Sequence, residues 1–211
     1  MGIRGALEQG IRTVYCIALV GGQTAGKTEA IKAVRGFGYH DRIHTLGELA
    51  RSEWEVTGYR PDMSDPEEMS IYQRWIYQVQ CQHEMFASIE AVRRGRSVLL
   101  ADRSRLCGVP YLGISETGKA VAAFERLCGT TKAECYAAYD AIFFLEMPPE
   151  DAYEAIRQRR QTEYPIAQSR SVMLFDMWKD HPGFRVVAWM EDVRFRHELL
   201  FRQLFDCTAS R

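Results

Sequence analysis

Five short apolar runs punctuate the chain, and longer stretches between them carry apolar residues at three- and four-residue intervals. The runs span residues 14–20, 39–45, 97–102, 141–146 and 184–189, and their length and β-rich make-up predict strands. The second run, with Tyr39, Ile43 and Thr45 among polar residues, is the weakest. The intervening periodic stretches predict helices at 27–36, 46–56, 64–94, 116–128, 131–138, 149–160, 167–179 and 191–205. Residues 1–13 read as a lead-in, and residues 106–114, with Gly108, Pro110 and Gly113, as a loop. Ser64-Asp65-Pro66-Glu67-Glu68 is a helix start, with a capping side chain, a proline in the first turn and acids against the helix dipole. The helix it opens can run to Arg94, about 43 Å at 1.5 Å per residue, unless it breaks. Tyr72, Trp75, Ile76, Val79, Phe86 and Ile89 fall mainly on one of its faces, which predicts a buried stripe. Strand–helix alternation throughout predicts an α/β fold: a parallel sheet with helices on both faces.

The first strand leads into Gly21-Gly22-Gln23-Thr24-Ala25-Gly26-Lys27-Thr28, which fits the G-x-x-x-x-G-K-[ST] phosphate-binding loop. Chance gives about one such hit per hundred or more chains of this length. Strand before and helix after supply the context that the motif needs. Glycines let loop N–H groups turn toward phosphate oxygens, and the helix N-terminus adds about half a positive charge there. Lys27 is expected to reach the β- and γ-phosphates of ATP, and Thr28 to ligate Mg²⁺. This motif turns the general α/β reading into a P-loop NTPase three-layer fold.

The apolar content of 46% over 211 residues supports one full core, so a single domain is expected over 1–211. A formal charge of −1 excludes a global basic field and argues against nucleic acid as partner. Six cysteines without C-x-x-C or zinc-like spacing read as reduced structural thiols. The five histidines have no metal-ligand spacing. No apolar run is long enough to span a membrane, and no signal-peptide pattern opens the chain, so the expected location is cytoplasmic.

Further candidate chemistry lies just past the strands. Asp102 ends the third run, where a carboxylate can hold Mg²⁺, and Arg103 beside it can neutralise phosphate charge; an N-capping Asp with a solvated Arg is the plainer alternative. Arg157, Arg159 and Arg160 follow the fourth strand, separated from it by a short helix. Guanidinium groups on a mobile lid, here about 149–170, can stabilise a transferring phosphoryl group, or the cluster is a solvated helix face. Glu48 is placed to accept a proton from an attacking hydroxyl, with Arg51 one turn on to bind phosphate; a surface ion pair between the two is the competing reading. Gln80 could read a base or carboxamide by paired hydrogen bonds, or be an ordinary exposed glutamine. Trp54, Tyr72, Trp75 and Tyr111 either stack on an acceptor or fill the core.

With these residues in view, the chain resembles the P-loop AAA-domain kinase-like family. That family includes the ribosylnicotinamide kinase domain of bacterial NAD-salvage regulators and the animal TRPL-translocation-defect protein. It is a cousin of the deoxynucleoside and nucleoside monophosphate kinases. The resemblance runs over roughly 14–205. It is carried by Gly21–Thr28, by the Glu48-to-Arg51 spacing, by Tyr72 through Gln80, by Asp102-Arg103-Ser104 with Tyr111, and most closely by Tyr139 through Pro149. Arg160-Gln161-Thr162-Glu163 approximates the family's lid motif. The resemblance implies an ATP- and Mg²⁺-dependent kinase acting on a nucleoside-like acceptor. In it Lys27, Glu48, Asp102, Arg103 and Arg160 act on the reacting groups, and Arg157 contacts nucleotide. Arg51, Gln80 and Tyr111 contact the acceptor. A nucleotide-binding regulatory protein with little turnover is the alternative, and the oligomeric state stays open.

Overall fold

The computed structural model describes residues 14–156 and 162–209, without the side chains of Arg51 and Ala209. The proposed lead-in and the basic run Arg157, Arg159 and Arg160 therefore lie outside the described residues. Five strands form one sheet: β1 (Tyr15–Val20), β2 (Ile43–Leu46), β3 (Val98–Asp102), β4 (Ala141–Leu145) and β5 (Phe184–Val187). Their order is β2-β3-β1-β4-β5, and every pairing is parallel. Eight helices surround them among the described residues: α1 (Lys27–Gly36), α2 (Leu49–Thr57), α3 (Pro66–Arg93), α4 (Thr117–Cys128), α5 (Lys132–Tyr136), α6 (Glu150–Ile156), α7 (Tyr164–Trp178) and α8 (Val193–Ala209).

Strand periodicity sorts β1 between two cores. Ile17 and Leu19 join Ala30 and Val34 of α1 and Leu200, Phe201 and Leu204 of α8 on one face. Ala18 and Val20 point the other way, to Phe124 of α4 and Leu174, Met177 and Trp178 of α7. Because both faces of the sheet are covered, β3 and β4 are buried throughout and apolar at every position except Asp102, the last residue of β3. Three layers result, as expected of the α/β class. No helix among the described residues is long and apolar enough to cross a membrane.

Three sequence expectations change. The weak second strand forms, but later, at Ile43–Leu46, on the edge of the sheet. The loop expected at 106–114 is a 3-10 helix over Arg105–Tyr111, its Ser104 bonded to Cys107 at its start. The long helix is continuous for 28 residues, capped by Asp65, whose Oδ1 accepts from the Glu67 and Glu68 amides at 2.8 and 3.2 Å. Its buried face follows the apolar stripe only in part: Tyr72 is buried and Trp75, Ile76 and Val79 are half-buried. Phe86 and Ile89 are 62% and 47% exposed, while Gln73, Gln80 and Glu84 are buried with Tyr72, Ala87 and Ala91. The exchange is possible because Gln80 and Glu84 find hydrogen-bond partners, so polarity does not oblige exposure.

All six cysteines are free. Burial pushes the thiols of Cys16 and Cys135 up to about 11 and that of Cys128 to about 12, which suits structural thiols. His181 has a structural role: its Nδ1 accepts from the Gly183 amide at 3.0 Å, leaving Nε2–H to donate to the Tyr136 and Tyr139 carbonyls.

Candidate active site

The strands' carboxyl ends gather the candidate residues. β1 ends at Val20, and the next residues form a tight loop that closes into α1. Gly21 has φ 148°, and a Cβ there would lie 2.3 Å from the Leu145 carbonyl oxygen of β4. At Gly22 a Cβ would collide with the Met147 sulfur. Gly26 has φ 85° and leads directly into α1. Only glycine meets both demands, steric at Gly22 and conformational at Gly26. Lys27 is buried, and its ammonium donates to the Gly21 and Gly22 carbonyls at 2.8 and 2.7 Å. Burial first, and the Arg103 charge second, lower its pKa to about 8. The loop thus holds a cation of reduced stability where an anion would restore its charge.

Asp102 ends β3, in register with Leu19 of β1. Its Oδ2 accepts from Thr28 Oγ1 at 2.8 Å, so the loop and the third strand meet. Its Oδ1 is buried with no hydrogen-bond partner. Burial raises the carboxyl pKa, against the opposing pull of Lys27 and Arg103. A carboxylate with a spare oxygen and an adjacent hydroxyl is an all-oxygen donor set of the kind that Mg²⁺ takes, with water completing the shell. The two residues singled out for magnesium therefore fit the ion.

Arg103 has φ 87°, an uncommon backbone for a side chain with a Cβ. Its amide donates to the Leu19 carbonyl, and its guanidinium pairs with the Glu48 carboxylate. Burial opposes its charge, but Tyr111 and Glu48 outweigh that and hold it well above the ordinary arginine value. Glu48 sits immediately before α2. Its carboxylate thus reaches across to β3's end, a partner 55 positions away that local spacing did not indicate.

A cavity of about 470 Å³ opens beside these groups. Glu48, Gln80, Arg103 and Tyr111 all line it, together with Gln23 of the loop. Trp54 and Tyr72 contribute aromatic wall, with ring centroids 6.2 Å apart. Trp75 packs against Tyr72 from behind, at 5.7 Å. Of the candidates, the Arg51 side chain and Arg157 and Arg160 lie outside the described residues; Thr162, just after that gap, lines the cavity.

Sequence reasoning missed several residues. Glu84 is buried beneath the cavity and accepts from Gln80 Nε2 and Arg105 Nε, each at 2.8 Å, and from the Tyr139 hydroxyl. That hydroxyl in turn accepts from the Arg105 amide at 2.9 Å. Gln80 is therefore anchored, not the exposed alternative. Arg170 of α7 lies 4.5 Å from the Tyr111 ring centroid, a cation–π contact at the cavity wall. Arg196 of α8 reaches the loop itself, donating to the Ala25 carbonyl at 2.9 Å. None of these had a local signal beyond the i,i+4 spacing of Gln80 and Glu84.

The chain's fold has a known counterpart. The crystal structure of thymidylate kinase from Ehrlichia chaffeensis superposes with a TM-score of 0.55 at 12% identity, covering 91% of this chain and 99% of that one. At that identity the likeness is one of fold, the P-loop kinase arrangement of sheet and helices. No curated protein sequence matches the chain. The sequence model for the AAA domain matches residues 16–196, from the first strand through the last helix's opening turn. The loop at Gly21–Thr28, Asp102 at the end of the neighbouring strand and that match agree: the chain belongs to the AAA domain family.

Proposed function

We propose that the protein is an ATP-dependent small-molecule kinase. It transfers the γ-phosphoryl group of Mg-ATP to a nucleoside or nucleotide-like acceptor. One observation carries this reading: the Lys27–Thr28–Asp102 cluster adjoins a partly aromatic cavity large enough for a small molecule, with Glu48 and Arg103 at the junction. A nucleotide switch has no need of that second pocket. The shared fold with a thymidylate kinase supports the same class of chemistry.

The magnesium ion, held by Thr28 and Asp102, would supply divalent charge against the phosphates. The chain's own groups do the rest. Loop N–H groups and Lys27 hold the triphosphate, and Arg103 lies where charge spreads onto the transferring group. Gln80 and the aromatic walls orient the acceptor, Tyr111 and Arg51 complete its contacts, Arg157 binds the nucleotide and Arg160 steadies the transferring group. An acceptor hydroxyl gives its proton to the Glu48 carboxylate as its oxygen bonds to the γ-phosphorus. The bond from that phosphorus to the bridging oxygen breaks, and ADP leaves with the electron pair. For a phosphate acceptor no base is required, and Glu48 then only positions Arg103.

The test is ADP release from Mg-ATP with a panel of nucleosides, nucleoside monophosphates and nicotinamide riboside, with Lys27→Ala as control. Stimulation by one acceptor, lost in the variant, is the expected result. Tight nucleotide binding with no acceptor raising the rate would sink the kinase reading in favour of a regulatory nucleotide switch.

A further inference from the structure

Arg196 stands in the first turn of α8, far along the chain from the loop it touches, and is only 5% exposed. Its Nη1 donates to the Ala25 carbonyl at 2.9 Å. Its Nη2 donates to the carbonyls of Glu146, just past β4, and Val187, the end of β5, at 2.8 and 3.2 Å. Its Nε is buried without a hydrogen-bond partner. No described carboxylate forms an ion pair with it, and burial lowers its pKa to about 10 against the weaker, opposite effect of Glu146. A buried guanidinium satisfied only by main-chain carbonyls is costly, and it is an expensive way merely to pin a helix.

We propose that Arg196 is a positioning residue of the nucleotide site, acting through the Ala25–Gly26 peptide; this rests on the kinase reading's nucleotide site. In a trans peptide the carbonyl and the following N–H point in opposite directions. Fixing the Ala25 oxygen toward α8 therefore turns the Gly26 N–H the other way, into the concave side of the loop where phosphate oxygens bind. Gly26 takes a left-handed φ of 85°, and a Cβ there would lie 3.6 Å from Arg196 Nη1, so the guanidinium packs directly behind it. The two remaining bonds anchor the clamp to the ends of β4 and β5, which are fixed by the sheet. Arg196 also adds a positive charge just behind the phosphate site, and water does not screen it.

The experiment measures Mg-ADP and Mg-ATP affinity calorimetrically on the full chain for Arg196→Lys, Arg196→Met and Leu200→Ala. Leu200 is a buried core residue of the same helix whose apolar side chain has no hydrogen bond to give the loop, so its loss tests general loosening of α8. A charged hydrogen bond of this kind predicts a Kd for nucleotide at least about tenfold weaker in Arg196→Met, with partial rescue in Arg196→Lys. Leu200→Ala should lose thermal stability and keep its Kd. Where an acceptor is known, its KM stays unchanged while that of ATP rises. Wild-type Kd in a cooperatively folding Arg196→Met chain would overturn the proposal, as would an equal Kd change in Leu200→Ala. Loss of folding in both Arg196 variants would overturn it too, by making the residue a pillar of the whole fold. If the wild-type chain bound no nucleotide at all, the kinase reading would fail, and this proposal with it.

Discussion

Two carboxylates lie buried near the same cavity, and their surroundings differ in kind. Glu84 is saturated: Gln80, Tyr139 and Arg105 donate to its two oxygens, and Arg105 neutralises it. Asp102 accepts one hydrogen bond, from Thr28, and its second oxygen is left bare in a buried site. Leaving a buried acceptor unpaired costs about 1–3 kcal/mol, a cost that a bound cation at Asp102 would offset. The contrast separates architecture from chemistry. Glu84 ties α3, the 3-10 helix and the Tyr139 segment into one floor, whereas Asp102 leaves an oxygen unpaired beside the Gly21–Thr28 loop, as the proposed Mg²⁺ site requires.

The contrast can be broken at its strongest point first. Lys27→Ala removes the only side-chain cation inside the loop. Turnover with Mg-ATP should fall by about a thousandfold or more, as expected when a main electrostatic contact to the transferring group is lost. The fold should persist, because the hydrogen bonds of the Lys27 ammonium are to the carbonyls of its own loop, Gly21 and Gly22. Steady-state ADP release and a thermal melt read both sides; a melt that collapses with the activity would undo the separation.

Glu84→Gln should do the reverse. Removing one partner strands the partly buried Arg105 charge, at a cost of about 3 kcal/mol in unfolding free energy by urea titration. Nucleotide affinity should change little, since Glu84 touches none of the phosphate-site residues. Asp102→Asn should cut Mg²⁺-dependent turnover about a hundredfold while altering stability by less than about 1 kcal/mol. The small stability term follows from the raised carboxyl pKa: the fold already disfavours the charge that the substitution removes. If Asp102→Asn and Glu84→Gln destabilise alike, the two carboxylates are not different in kind.

A pH titration gives the finest reading. The Lys27 pKa falls from 10.5 to about 8 on folding. Between those values the unfolded chain holds the proton and the folded chain does not, so stability of the free protein rises with pH across that window. Nucleotide restores the charge, so its affinity should fall by up to tenfold per unit as pH rises above about 8, with a proton taken up on binding. Calorimetry in buffers of different ionisation enthalpy measures that proton directly. A pH-independent affinity, with no proton uptake, would mean that Lys27 stays fully charged without ligand.

Much of this was legible in residue order because it rests on local chemistry. Strand, glycine-rich loop and helix at 14–36 are contiguous, and Gly21, Gly22 and Gly26 are demanded by steric and φ constraints that no other residue meets. Asp102 was readable from its place at the end of an apolar run, and α3's start from Asp65 and Pro66. Alternation of apolar strand runs with helical periodicity along the chain pointed to α/β layering. Other features were decided only when distant segments met. The Glu48–Arg103 pair joins positions on separate strands' ends, and neither charge announces the other. The second half of α3 buries Gln80 and Glu84 in place of Phe86 and Ile89 because Glu84's partners come from three places in the chain, and hydrophobic periodicity cannot count hydrogen bonds that have yet to form. Arg196 reads as one more basic residue of a surface helix until α8 docks and brings it behind Ala25, 171 positions earlier. Local propensity and spacing specify elements and motifs; burial, pairing and the satisfaction of polar groups are properties of the packed whole.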